Sequence, residues 1–223
     1  MTRRRFPVGK TLLYVFMSLW ALTTIYPFIW VILNSFKPRG LIRSDTFSLP
    51  IGDKFTLENY VTAFKRVDIG TAYVNSIVIS GAVTVVVMVL AGLAAYAMVR
   101  YSFRLRGFLH SMIIASMMFP VFSTIIPVFR MESSWGIVNT GSIWLTRLSV
   151  VLPQIAGNLS FAIIVLMGFI RSLPVDLEEA AYLEGYNVYQ IFFRIIMPLA
   201  KPSFATVGIF TFLWSYNDLF LQM

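Results

Sequence analysis

The chain has 223 residues, of which 58% are hydrophobic and 13% charged, with a mean hydropathy of +0.77. A water-facing surface usually needs about 25% charged residues, so an ordinary soluble enzyme is excluded and an integral membrane domain is indicated. The net charge of +8 reads, in so apolar a chain, as topogenic charge and attraction to anionic headgroups, not as a nucleic-acid footprint. No Cys and a single His exclude disulfides, thiolate metal sites and the usual His-built metal centre.

Five long apolar runs follow one another, each predicted to be helical because a spanning segment must satisfy its own backbone hydrogen bonds. The fold class is therefore all-α: a polytopic helical bundle forming one transmembrane domain over residues 1–223. The first span lies near 11–33, behind Arg3, Arg4, Arg5 and Lys10, with Pro27 placed to bend it. It is too long for a cleavable signal peptide, whose apolar core is roughly 7 to 15 residues, so it is expected to stay as an anchor. The second span lies near 73–99, where Ser76, Ser80, Ala91 and Ala95 recur at four-residue steps suited to close helix contact. The third is predicted near 107–129, with His110 at its start as an interfacial hydrogen-bonder. The fourth lies near 148–170. The fifth runs near 203–223, interrupted only by Asp218, and its end inside an apolar run predicts a chain cut short before a further helix.

Charge beside the spans sets the orientation. Arg100, Arg104 and Arg106 fall in the short stretch RYSFRLR, where the positive-inside rule acts most strongly. The longer segment 34–68 dilutes its cations with Asp45, Asp53, Glu58 and Asp68. The N-terminus is predicted to be cytoplasmic.

Residues 173–202, between the fourth and fifth spans, differ from the rest. Pro174 blocks extension of the helix before it, and Asp176 with Glu179 has capping-box spacing. Gly185 is suited to the left-handed conformation that ends a helix. A second helix is predicted from about Asn187 to Ile196, ending at Pro198, with Val188, Ile191, Phe192, Ile195 and Ile196 on one face. The segment is read either as an interfacial connector or as a docking knob. In the second reading Ala180 and Ala181 let a partner's backbone approach, while Glu178, Glu179 and Glu184 pair with its cations.

Glu179-Ala180-Ala181, Glu184-Gly185, then Phe192, Ile195, Pro198 and Lys201-Pro202 resemble the EAA loop of permease subunits in binding-protein-dependent ABC importers. Asn34-Ser35-Phe36-Lys37, Thr56-Leu57-Glu58-Asn59-Tyr60, Asn75-Ser76, Trp135 to Thr140 and the Trp214 to Leu219 stretch are similar to the carbohydrate-uptake, maltose-transporter branch. Tyr216 stands where that branch usually has Trp, and the branch's sixth helix is not matched. The resemblance implies a multi-pass plasma-membrane subunit of a bacterium or archaeon. It also implies a second homologous permease, two ATPase subunits, an extracytoplasmic solute-binding protein and surrounding lipid as partners. Coupling to the ATPase would fall to Glu179, Ala180, Ala181, Glu184 and Gly185.

The chain itself has no phosphate-loop motif and is read as a non-enzyme without cofactor or metal of its own, ATP and Mg being used by the partner ATPases. Sugars are held by hydrogen-bonding groups and aromatic faces, so the candidate substrate path is Asn75, Gln154, Asn158, Asn217 and Asp218, with Ser76, Ser123, Thr124 and Ser160 behind them. Each is equally readable as a polar helix-packing residue, and Asp218 is singled out because an ionisable group in a span points to function. The alternatives are a permease for another solute, such as a glycerophosphodiester, and a self-sufficient channel or secondary transporter. The first would favour a mid-span cation and the second an intramembrane acid–His relay, and neither is seen.

Overall fold

The computed structural model describes residues 8–138 and 140–218; Arg3, Arg4, Arg5, Asn139 and residues 219–223 of the expectations above lie outside them. The described residues form helices joined by short loops. The chain divides into two compact units, Met1–Ala72 and Tyr73–Met223.

The first unit begins with α1, Val8–Ser35, one continuous helix in spite of Pro27. Its apolar window is exposed along its whole length, as suits a helix surrounded by hydrocarbon. The chain then tightens into α2 (Arg39–Ser44), a 3₁₀ turn at Gly52–Lys54 and α3 (Glu58–Arg66). Lys37 is fully buried here, its Nζ donating to the carbonyl oxygens of Asp45 (3.0 Å) and Thr46 (2.8 Å). Asn59 Nδ2 donates to the carbonyls of Ser35 (2.9 Å) and Lys37 (2.7 Å), and Phe36 stacks on Phe55 with centroids 5.6 Å apart. The stretches 34–37 and 56–60, some 20 residues apart in sequence, thus close into one clamp. Lys37 is a structural group, because its stem is buried while its ammonium finds two carbonyls.

The second unit is built on α4 (Ile69–Arg100, which starts just before the boundary), α7 (Ile143–Ser172) and α11 (Lys201–Tyr216). Its core repeats at one helical turn on each: Val83, Val87, Ala91 and Ala95 on α4, Ala162, Leu166 and Ile170 on α7, and Phe204 and Val207 on α11. Four-residue steps of small and branched side chains let the helices approach closely, while the outward residues of α4, such as Val85 and Leu90, stay exposed. Gly92 is required by this approach. A Cβ there would stand 2.8 Å from the ring of Phe204 and 2.9 Å from that of Phe192.

Three helices are individually long and apolar enough to cross a membrane among the described residues: Gly9–Ser35, Ile69–Arg100 and Ile143–Ser172. The third predicted span is not a single helix. It is split into α5 (Arg106–Ser116) and α6 (Val121–Ser134) around Pro120, which caps α6 in an extended conformation. Proline lacks the N–H that would continue the ladder and pushes the preceding residue out of the helical region. The fifth predicted span is also modified. α11 enters at 82° to the segment Val188–Leu199, and it closes at Tyr216, where Asn217 Nδ2 bonds back to the Leu213 carbonyl at 2.7 Å. Asp218 therefore follows α11.

Candidate functional site

Two places in the second unit gather the residues singled out from sequence. The first is the loop between α7 and α11. Helix α8 runs from Asp176 to Leu183, but Val175 precedes it as the cap, and the Asp176–Glu179 capping box does not form. The reciprocal box occurs one helix later. Asn187 accepts from the Gln190 backbone N–H and Gln190 accepts from the Asn187 N–H, both at 2.9 Å, opening α9 (Val188–Ile191). Between them Gly185 takes φ +84°, the left-handed conformation that a side chain would strain. The chain then widens to a π-helical turn at Phe192–Ile196, where Met197 N–H bonds to Phe192 O, and runs through Pro198 in α10 (Met197–Leu199). The helix was expected to end at Pro198. The wider turn instead absorbs a residue without an N–H, and the break falls at Ala200.

The two faces of this loop have different chemistry. Glu178 is buried, with Arg100 Nε donating to its Oε1 at 2.5 Å and the Tyr96 hydroxyl donating to its Oε2 at 2.8 Å. Arg100 also donates to the Leu173 carbonyl at 2.9 Å. Glu178 was expected to meet a partner's cation; it is bound inside this chain, since a buried carboxylate must find its donors at hand. Ala181 likewise faces inward, whereas Glu179, Ala180, Glu184 and Gly185 are exposed, and Leu183 is 91% exposed. Of the predicted coupling residues, four stand on one accessible surface and Ala181 lies beneath it.

The second place is a cavity of about 470 Å³ lined by Phe119, Thr124, Gln154, Asn158, Trp214 and Asp218, among others. Gln154 and Asn158 lie one turn apart on α7, which puts both on the same face. Gln154 Oε1 accepts from the Ser215 hydroxyl of α11 in a short contact, and Asn158 Nδ2 donates to the Gln154 carbonyl at 2.8 Å. Their remaining atoms, Gln154 Nε2 and Asn158 Oδ1, are buried without a hydrogen-bond partner. Buried amides are ordinarily satisfied, so these two atoms depart from the usual pattern. Among the described residues no Arg, Lys or His lines this cavity.

The structure brings together three of the five predicted path residues, Gln154, Asn158 and Asp218. Asn75 is elsewhere, accepting from Arg147 at 2.7 Å while that guanidinium lies over Trp144, and Asn217 is the exposed terminator of α11. Sequence reading missed Phe119 and Trp214. The signal for Phe119 was Pro120 in mid-span: non-helical backbone at membrane depth is tolerated where it lines a cavity. Tyr96 and Arg100 were missed as anchors of the loop because their partner is more than 70 residues away.

The second unit thus joins apolar helices long enough to cross a membrane, a bent entry into α11, a mainly apolar cavity that carries the Gln154 and Asn158 amides, and an exposed two-helix loop. Residues 87–222 match the family described as the inner membrane component of binding-protein-dependent transport systems, and the chain belongs to that family. It is 35% identical over 210 residues to the diacetylchitobiose uptake system permease protein NgcG of Streptomyces coelicolor, covering 94% of this chain and 67% of the relative. It is 33% identical to the trehalose transport system permease protein SugB of Mycobacterium tuberculosis (89% and 69% covered). With the melibiose/raffinose/stachyose import permease protein MelC of Bacillus subtilis it shares 30% identity (86% and 67% covered). The fold is that of a chain in the crystal structure of a bacterial ABC transporter for alginate import, with a TM-score of 0.78 at 23% identity, over 98% of this chain and 74% of that one. This protein is thus an ABC-importer permease, a transport component that works with a binding protein and an ATPase.

Proposed function

We propose that this chain is one of two permease subunits of an importer for a neutral sugar or oligosaccharide, with the Gln154–Asn158 cavity forming its share of the substrate path. The observation carrying the reading is the lining itself. Gln154 and Asn158, each with one buried amide atom left unpaired, line the same cavity as Phe119 and Trp214, and among the described residues no cation lines it to attract a phosphate or carboxylate. Hydroxyl-rich rings need amide donors and acceptors together with an apolar face. The sugar-uptake relatives support the same class.

Glu179, Ala180, Glu184 and Gly185 are the surface offered to one of two ATPase subunits. The N-terminus and this loop are cytoplasmic, and closure of the ATPases rocks the helices around the cavity. Glu178, tied to Arg100 and Tyr96, passes that motion directly to α4. The test is reconstitution of the assembled complex in proteoliposomes with a panel of labelled di- and oligosaccharides. Asn158→Ala is expected to lower uptake at least about tenfold without lowering ATPase recovery, because a buried amide contact is lost. Gly185→Val is expected to lose ATPase co-purification. Equal sugar uptake by Asn158→Ala and the parent would remove the cavity from the path.

A further inference from the structure

A second cavity, of about 250 Å³, lies at the end of the helices that carries the loop, lined by Met98, Arg106, Gly107, His110, Met167 and Arg171. Met98 and Met167 are buried and form an apolar floor; Arg106 and His110 come from α5 and Arg171 from the last turn of α7. Among the described residues none of these three basic side chains makes a hydrogen bond or ion pair, and the salt bridges formed are Lys54–Asp45 and Arg100–Glu178. The contrast with Arg100 is instructive. That arginine starts the RYSFRLR stretch that Arg106 ends and is fully engaged by Glu178 and Leu173, so the local acid has been used, and Arg106 and Arg171 line one space without a carboxylate.

Two guanidiniums from different helices converging on one concavity repel each other unless an anion lies between them, and a fork of N–H donors matches phosphate oxygens. The space is below the usual 300–1,000 Å³ of a drug-sized ligand but admits a phosphate group. We propose that this cavity binds a phosphate anion, held by Arg106 and Arg171 with His110 as an added donor. Basic pockets between transmembrane helices are a known mode of holding anionic headgroups, so the phosphate can come from a phospholipid or from solution. The site is independent of the sugar path: the two cavities share no lining residue.

The experiment is native mass spectrometry of the purified, delipidated full chain, titrated with phosphatidylglycerol and with phosphatidylcholine, alongside thermal melting in inorganic phosphate. The parent is compared with R106Q/R171Q. A second variant, R104Q/R130Q, removes the same charge at exposed positions outside the cavity, and size-exclusion profiles establish that all three are folded. Retention of phosphatidylglycerol should weaken at least about tenfold in R106Q/R171Q and stay near parental in R104Q/R130Q, with phosphatidylcholine retention unchanged in all three. That result supports the site with a lipid source. A rise of melting temperature in phosphate, lost only in R106Q/R171Q and without selective lipid retention, supports it with a soluble source. Equal retention and equal melting in the parent and both variants, or equal losses in both variants, would overturn the proposal.

Discussion

The Lys37 clamp and the Gln154 cavity are both clusters of buried polar groups, yet they differ in one respect. In the clamp the Lys37 ammonium and the Asn59 amide are spent on backbone carbonyls of the same segment. At the cavity Gln154 Nε2 and Asn158 Oδ1 are buried and left unpaired. A satisfied buried group holds a fold, because removing it strands its partners; an unsatisfied one weakens the fold. The Glu178 latch belongs with the clamp.

That distinction can be broken by mutation. Glu178→Ala leaves Arg100 with no carboxylate partner in a largely buried setting and should destabilise the detergent-solubilised protein by about 3–5 kcal/mol, read as a lowered melting temperature. Lys37→Met keeps the buried stem but strands two carbonyls, with an expected loss of about 3 kcal/mol in the same measurement. Gly92→Ala drives a methyl into two aromatic rings and should cost about 1–3 kcal/mol by overpacking. The opposite behaviour is expected at the cavity. Asn158→Leu should change stability by less than about 1 kcal/mol, or raise it, while sugar uptake falls. A destabilisation as large as that of Lys37→Met would move Asn158 into the structural class.

The smallest effect is one of pH. Asp68 caps α4, accepting from the Thr71 hydroxyl at 2.6 Å and the Thr71 N–H at 3.1 Å, and these bonds hold its carboxyl below the ordinary range. Asp45 is lowered by Lys54, 2.6 Å away, with a hydrogen bond from Ser48 adding to it. A depressed carboxyl contributes stability that is complete above its unfolded pKa of about 3.9 and is lost as pH falls through the lower folded value. Both groups are solvent-exposed, so melting should be flat from neutral pH down to about 5 and decline only below about 4. Asp68→Asn should flatten that decline.

Much of this was legible in order of residues. Apolar runs fixed helices α1, α4 and α7, since hydrocarbon leaves a spanning backbone little alternative. Gly185 announced a left-handed turn, and the EAA spacing announced the loop. The third span was misread because hydropathy averages over Pro120, and the capping box was placed one helix early because Asp176-x-x-Glu179 and Asn187-x-x-Gln190 both offer the spacing. Spacing shows that a bond is possible; only the entry geometry of the chain shows whether it forms.

Composition and local pattern therefore determined the solvent and the helices, because those follow from each residue's own transfer energy and backbone preference, while the family was legible only through the resemblance of the Glu179–Pro202 stretch to a known loop. Tertiary structure decided which polar residues are used up. That Glu178 turns inward to Arg100, that Gln154 and Asn158 share a cavity with Phe119 and Trp214, and that Arg106 and Arg171 line another all depend on helices far apart in sequence. A side chain's partner is set by packing, and packing is a property of the whole unit.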